Sequence, residues 1–306
     1  VLLCVAAAAV MLGTLYPLLI DALGMGKLSV GPPYFEAVFV PLMAPAILLM
    51  GVGPLVKWKG DDMAALALRL RWPALASVLA AATVPFAAGG WNGMVFLGML
   101  LAIWIGVTSI VAVRQHLANA PAGTGLQRIL ASRAWAGMLV AHLGIALFIV
   151  GVTISRAYET DNDLRMEVGD STTLSGYTFT LGGLREVEGP NYQAIRAVIE
   201  VTRDTAPVTV LFPEKRIYTA RDMPMTEAAI DGGITRHLYI SLGDQVSATA
   251  WLVKVQVKPM ISFIWAGCLV MALGGLLAAL DRRYRTARRR QAAPAPSAAA
   301  ATTVSR

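Results

Sequence analysis

Six apolar stretches, each close to twenty residues long, constrain this chain more than any other feature. A helix needs about 20 such residues to cross the ~30 Å hydrocarbon core of a bilayer. The mean hydropathy of +0.61, with 15% charged residues, also departs from that of a soluble domain. We therefore predict a polytopic α-helical membrane protein with about six transmembrane helices. The predicted spans are residues 1–20, 37–56, 73–88, 94–113, 135–155 and 260–280.

Two of these stretches carry a further feature. The third is the shortest and contains Pro85. The first begins at Val1 in mid-run, so we expect the natural protein to start earlier. Because it has no basic leader and other spans follow it, we interpret it as a spanning helix rather than a signal peptide.

The charges alternate along the chain in a way that predicts its orientation. The connections after the second and fourth spans, together with the tail after the sixth, hold 14 basic and three acidic residues. Residues 156–258 hold 11 basic and 14 acidic residues. Excess Lys and Arg mark the cytoplasmic side of a membrane protein. Both ends are thus predicted to be cytoplasmic and residues 156–258 periplasmic, and the net charge of +7 indicates contact with anionic lipid rather than with nucleic acid.

Residues 156–258 have the period-two alternation of half-buried strands, clearest at 193–203 and 252–258. Further predicted strands are 164–168, 177–185, 208–212 and 238–242. Predicted turns are Gly169–Asp170, Ser175–Gly176, Glu188–Pro190, Asp231–Gly233 and Gly243–Asp244. This pattern predicts one extracytoplasmic β-rich domain, a small antiparallel barrel or sandwich.

The predicted organisation has four parts. Residues 1–155 form a membrane domain of five helices, 156–258 the β-rich domain, 259–281 the sixth helix, and 282–306 a basic and then disordered tail. The last strand runs almost directly into the sixth span, so we expect the β-rich domain to lie against the membrane surface.

His142 is the candidate functional residue, because it lies inside the fifth predicted span. An imidazole in hydrocarbon needs a partner, and such residues often mark ligand, ion or proton sites. The small residues Gly137, Ala141 and Gly144 would let a neighbouring helix or a flat macrocycle approach it. Three interpretations stay open: a hydrogen bond to an adjacent helix, ligation of a metal or haem, and a proton relay.

The other candidate side chains predict no chemistry. His116 is expected to be solvated or near lipid headgroups, and His237 to be a surface residue. Cys4 and Cys268 lie in predicted spans without metal-ligand spacing, so we expect apolar packing residues. No catalytic residue is identified, and no hydrolase arrangement is present in the sequence.

Short motifs in order along nearly the whole chain resemble the cytochrome c-type biogenesis family CcmF, in its C-terminal half. They are GTLYPL at 13–18, VGPPYF at 30–35, GVGPLVKW at 51–58, AHLG at 141–144, EKRIY at 214–218, LYISLGD at 238–244, KP at 258–259, IWAG at 264–267 and DRRY at 281–284.

The resemblance implies a subunit of a membrane haem lyase, which attaches haem to apocytochrome c in the bacterial inner membrane. It implies that His142 is an axial ligand of an intramembrane haem b, with the second ligand outside this chain and substrate haem as a second haem species. Implied partners are the N-terminal half of the same protein, the haem chaperone CcmE, the subunits CcmH and CcmI, and apocytochrome c. The family's second haem-ligating histidine, loop histidines and tryptophan-rich segment have no counterpart in this sequence.

Two other classes of protein share this pattern of spans. One is a non-catalytic permease or scaffold with an outer partner-binding domain, which would often show further intramembrane charges or inverted repeats. The other is a sensor, which would need a cytoplasmic output module that the short tail does not supply.

Overall fold

The computed structural model describes residues 1–56, 60, 62–118 and 132–281. Six helices of these residues are long and apolar enough to cross a membrane, and the chain is a multi-pass membrane protein. They are α1 (Leu2–Ala22), α2 (Pro32–Val52, followed by a 3-10 turn Gly53–Leu55), α3 (Met63–Ala87), α4 (Gly93–Ala118), α5 (Arg133–Tyr158) and α6 (Ile261–Ala279). The connections that hold Lys57, Lys59 and Arg128, and the tail predicted to be disordered, lie outside the described residues.

Helix α3 differs most from its predicted span. It begins at Met63, ten residues before the apolar stretch does, and it includes Arg69 and Arg71, which were predicted to lie in a connection. Arg69 donates a hydrogen bond to the backbone oxygen of Leu55. The predicted span was defined by hydropathy and therefore leaves out the two arginines. The helix includes them because Arg has a high helix propensity.

The first compact unit includes the described parts of residues 1–82, 100–146 and 267–306. Within it, the Tyr34 hydroxyl of α2 donates to the backbone oxygen of Ala9 in α1 at 3.0 Å. Trp104 of α4 donates from Nε1 to the backbone oxygen of Leu48 in α2 at 2.9 Å. These bonds give polar groups inside the apolar helix pack the partners that lipid cannot supply.

Helices α5 and α6 meet through small residues. A Cβ added to Gly274 of α6 would lie 2.4 Å from the backbone nitrogen of Ala141, and one added to Gly144 of α5 would lie 2.6 Å from that of Met271. Such distances are too short for any side chain. The absence of side chains therefore lets the two backbones approach closely, as is typical of membrane helices.

The second compact unit, residues 83–99 and 147–266, contains ten antiparallel strands in two sheets, which we call the β domain. The first sheet has the order β1-β10-β9-β8 and the second β2-β3-β4-β6-β7, with β5 also paired to β4. The strands are β1 (Thr160–Glu167), β2 (Ser171–Leu174), β3 (Tyr177–Glu188), β4 (Tyr192–Arg203), β5 (Ala206–Leu211), β6 (Glu214–Tyr218), β7 (Arg221–Glu227), β8 (Ala229–Gly232), β9 (Arg236–Gln245) and β10 (Ala250–Pro259).

The core of the β domain lies between the two sheets, where alternate residues of each strand point inward. Phe179 and Ile199 from one sheet and Ile240 and Val255 from the other are fully buried. Each such side chain contributes roughly 1.5–3 kcal/mol on leaving water. The predicted alternation at 193–203 and 252–258 is thus confirmed as inward-facing positions of β4 and β10.

The turn predictions were confirmed in three places and wrong in two. Turns follow β1, β2 and β3 at the predicted residues. Gly243 and Asp244, however, belong to strand β9, and the turn lies at 246–249. Gly243 lies beside the register shift between β9 and β10. A Cβ added to Gly243 would lie 3.1 Å from Leu252, so the two strands approach closely there. Asp231 and Gly232 likewise close strand β8.

Candidate functional site

The imidazole of His142 is held by its own helix. Its Nδ1 lies 2.7 Å from the backbone oxygen of Met138, one turn earlier in α5. Because a backbone oxygen only accepts, Nδ1 carries the proton, and the lone pair is left on Nε2. Nε2 forms no hydrogen bond with any residue that the structure describes. The ring is half-buried. The bond from Nδ1 fixes its orientation and leaves the lone pair of Nε2 available for a ligand.

The small residues near His142 face elsewhere. Gly137, Ala141 and Gly144 contact α6. At about 100° of rotation per residue, His142 points roughly 100° away from Ala141 and roughly 160° away from Gly144. The prediction that small residues admit a neighbouring helix is confirmed, but the helix they admit packs on a face that His142 does not share.

Two contacts set the register between α4 and α5. The ring of His116 stacks on that of Trp135 with centroids 4.1 Å apart, and a Cβ added to Gly98 would meet the side chain of Thr153. A later residue of α4 thus meets an earlier residue of α5, so the two helices are antiparallel.

This register brings Ser109 to the level of His142. Ser109 lies seven residues before His116 in α4, and His142 lies seven residues after Trp135 in α5. Seven residues are close to two helical turns, so Ser109 lies on the same helix face as His116, and His142 on the same face as Trp135. The Ser109 hydroxyl is buried and has no hydrogen-bond partner among the residues that the structure describes. Other buried hydroxyls, such as that of Ser77, bond to the backbone one turn earlier. Sequence reasoning missed Ser109, although its seven-residue spacing from His116 was a signal.

His116 is half-buried at the end of α4. Its ring covers Trp135, and its Nε2 is buried without a hydrogen-bond partner among the described residues. Stacking on an indole replaces the water that a helix end would otherwise offer.

His237 has a structural role in the β domain. Its Nε2 lies 2.9 Å from the hydroxyl of Ser262, which itself donates to the backbone oxygen of Gly233 at 2.7 Å. Since the Ser262 proton is engaged, Nε2 of His237 is the donor in the first bond. The ring is half-buried rather than a surface side chain, and it joins strand β9 to the first turn of α6.

Metal-ligating clusters are absent from the described residues: no three His, Cys, Asp or Glu side chains lie together. Cys4 and Cys268 are free and exposed on α1 and α6, so the expectation of buried packing was wrong. Their faces are the apolar surface that lipid or another helix can cover. His142 is therefore the described intramembrane side chain best suited to hold a ligand.

Comparisons with known proteins show what this chain is similar to. A family model described as the CcmF C-terminal beta-sandwich matches residues 157–259. The chain is 44% identical over 287 residues to the cytochrome c-type biogenesis protein CcmF of Pseudomonas aeruginosa, and 42% identical over 286 residues to that of Escherichia coli. The chain is homologous to the CcmF proteins.

The homology covers 92–93% of this chain but only 42–43% of these two CcmF relatives. A solved structure named "Cytochrome c Heme Lyase CcmF" matches with a TM-score of 0.70 at 23% identity, over 90% of this chain and 43% of that one. The likeness to this solved structure shows a shared fold. The family match ends at Pro259, where β10 ends, and it identifies the β domain as a sandwich rather than a barrel.

The EKRIY motif at 214–218 forms strand β6. Glu214 is almost fully buried and accepts hydrogen bonds from Nε of Arg196 at 2.6 Å and from Nε of Arg216 at 2.7 Å. Burial alone would raise the pKa of Glu214, but the two arginines outweigh it and hold the pKa below its usual value. Arg216 also lies over the Tyr192 ring. These contacts make Glu214 a structural anchor of the sheet.

Proposed function

We propose that this chain is part of a membrane haem lyase that attaches haem covalently to apocytochrome c, and that His142 is an axial ligand of an intramembrane haem b. The observation that carries the proposal is the free Nε2 of His142 inside a predicted span, with Nδ1 fixed on the Met138 oxygen. The names of its CcmF relatives, which refer to cytochrome c biogenesis, support it.

The residues present fit one side of a haem. A neutral imidazole with its Nδ1 proton bonded to a backbone oxygen is the usual form of a ligating histidine. The Ser109 hydroxyl at the same level, which no described residue engages, offers a further polar group near a ligand. Haem bound there would supply an iron centre able to carry one electron. The chain's own contribution is to fix the imidazole and to surround it with apolar helices that keep water out.

The second axial ligand would come from a polypeptide beyond this chain, for which the N-terminal half of a CcmF-type protein is the candidate. Substrate haem would arrive from the chaperone CcmE, and apocytochrome c from the subunits CcmH and CcmI. We place the protein in the bacterial inner membrane, with the basic connections and residues 282–306 in the cytoplasm and residues 156–258 in the periplasm, because of their charges. In this arrangement residues 1–155 and 259–281 are the membrane parts.

The test is a reduced-minus-oxidised absorption spectrum with pyridine haemochrome quantification on protein purified from its native membrane. Wild type, His142→Ala and His237→Ala are compared, since His237 is engaged with Ser262 and serves as the matched control. We expect a b-type spectrum in wild type and in His237→Ala, and its loss in His142→Ala at normal protein yield. Unchanged haem in His142→Ala, or none in wild type, would contradict the proposal and favour a permease or scaffold.

A further inference from the structure

The β domain is tied to the membrane by two very short connections. Helix α5 ends at Tyr158 and strand β1 begins at Thr160, while strand β10 ends at Pro259 and helix α6 begins at Ile261. One residue separates helix from strand in each case. Fully extended, one residue spans at most ~3.6 Å, so this end of the β domain lies within a few ångströms of the helix ends.

The turn between β8 and β9 is pinned to the start of α6. The backbone nitrogen of Met260 donates to the backbone oxygen of Thr235 at 2.9 Å. The hydroxyl of Ser262 donates to the backbone oxygen of Gly233 at 2.7 Å. Between these two anchored residues, Ile234 is 77% exposed. A large apolar side chain is thus held, without protein cover, beside the first turn of a membrane-crossing helix.

One aromatic side chain of the same compact unit indicates the level of the bilayer surface. Trp265 is 68% exposed and lies three residues after Ser262, roughly 4.5 Å further along α6. Tryptophans on membrane helices concentrate at the lipid headgroups. Ile234, fixed between Gly233 and Thr235, lies on the domain side of that level.

Two arginines lie beside this turn. Arg236, two residues after Ile234, donates from Nε to the Tyr177 hydroxyl at 3.2 Å and is paired with Asp231. Arg203 donates to the same hydroxyl at 3.2 Å, lies over the Tyr177 ring, and is exposed. Among the described residues, no acidic side chain pairs with Arg203. Its charge is thus available to a phosphate at the surface of the bilayer.

We propose that the β8–β9 turn is a lipid contact of the β domain, in which Ile234 enters the headgroup region and Arg203 binds the phosphate of a lipid. The occupant is the bilayer that α5 and α6 cross, because the turn is hydrogen-bonded to Met260 and Ser262 at the start of α6. The contact adds a third attachment to the two connections and so fixes the tilt of the β domain over the membrane. It does not depend on the proposed enzymatic function.

The test uses the full chain in lipid vesicles, with Cys4 and Cys268 replaced by Ala and an environment-sensitive fluorophore on Ile234→Cys. The matched control is Val246→Cys, since Val246 is an equally apolar exposed residue at the opposite, β9–β10 end of the domain. We expect blue-shifted emission at 234, quenching by lipid with a spin label near its headgroup, and protection from iodide. The label at 246 should show none of these. Equal access of iodide to both labels would overturn the proposal.

The arginine is tested in the same vesicles by changing the lipid. Lipid quenching of the label at 234 should increase when anionic phosphatidylglycerol replaces part of the zwitterionic lipid, and Arg203→Gln should abolish that increase. Arg185→Gln, on strand β3 away from the turn, should leave it intact. An increase that persists in Arg203→Gln would remove the phosphate contact from the proposal.

Discussion

Glu214 allows a quantitative test of what holds the β domain together. Glu214 is 4% exposed, and its carboxylate pairs with Arg196, directly opposite on β4, and with Arg216, two residues further along β6. Its pKa is lower in the folded chain than its usual value. A carboxyl group of this kind stabilises the fold above its unfolded-state pKa, and the stabilisation is lost as the pH falls through the folded-state pKa.

Glu214→Gln keeps the shape of the side chain and removes its charge. A hydrogen bond to a charged partner contributes about 1.5–3 kcal/mol. Breaking a fully buried pair costs about 3–5 kcal/mol, but the side chains of Arg196 and Arg216 are 38% and 25% exposed and can be hydrated. We therefore expect a loss of about 2–3 kcal/mol of local stability at neutral pH.

The assay is hydrogen exchange of peptides from β4 and β6 in the detergent-solubilised full chain, read by mass spectrometry. Glu200→Gln, which changes an exposed acid on the neighbouring strand β4, is the control and should leave exchange unchanged. The difference between wild type and Glu214→Gln should shrink below about pH 4.5, because a protonated carboxyl is neutral like the amide. Equal exchange at neutral pH, or a difference independent of pH, would refute the reasoning.

Three further changes test other contacts. Asp281→Ala removes the carboxylate that accepts from the backbone nitrogen of Ala134, so exchange in the first turn of α5 should rise by the equivalent of about 1 kcal/mol; unchanged exchange there would contradict this. Gly274→Ala should lower the thermal unfolding temperature in detergent, because its Cβ meets backbone, whereas Gly275→Ala, with open space, should not; equal effects would argue against the packing. Ser262→Ala should speed exchange at the start of β9 by about 1–3 kcal/mol, and the idea fails if only distant strands respond.

The membrane helices could be predicted because hydropathy over twenty residues is a strong signal. Their ends could not, since the helical backbone continues past the apolar stretch. Helices α1 and α2 include Asp21 and Glu36 near their ends, and α3 includes Arg69 and Arg71. The apolar stretch locates the part in lipid, and the helix is longer.

The long strands were predictable and the short ones were not. Strand β6 was missed because its inward position holds Glu214 rather than an apolar residue, and the two arginines that neutralise it lie on β4 and two residues further along β6. Strand β8 was read as a turn because it ends in Asp231 and Gly232. In both cases the segment is a strand because of the strand that it pairs with. For β6 that partner is β4, and for β8 it is β9, which follows the turn.

The candidate site was predictable as a residue but not as an arrangement. An imidazole inside an apolar stretch is visible in the sequence, whereas its orientation depends on the hydrogen bond to Met138. That Ser109 lies at the level of His142, and that His116 stacks on Trp135, depends on the register between α4 and α5. This register is set by packing between the helices and cannot be predicted from the local sequence.

The most direct test of the central claim is chemical rescue of His142→Gly, which removes the imidazole and leaves space for a free one. The variant protein is purified from its native membrane with and without imidazole, and the b-type haem is quantified by pyridine haemochrome. Ligation through Nε2 predicts haem loss in the variant and its return with imidazole, but not with a non-ligating molecule of similar size such as pyrrole. Haem that stays in the variant at the wild-type level, or returns equally with pyrrole, would contradict the assignment of His142 as the ligand.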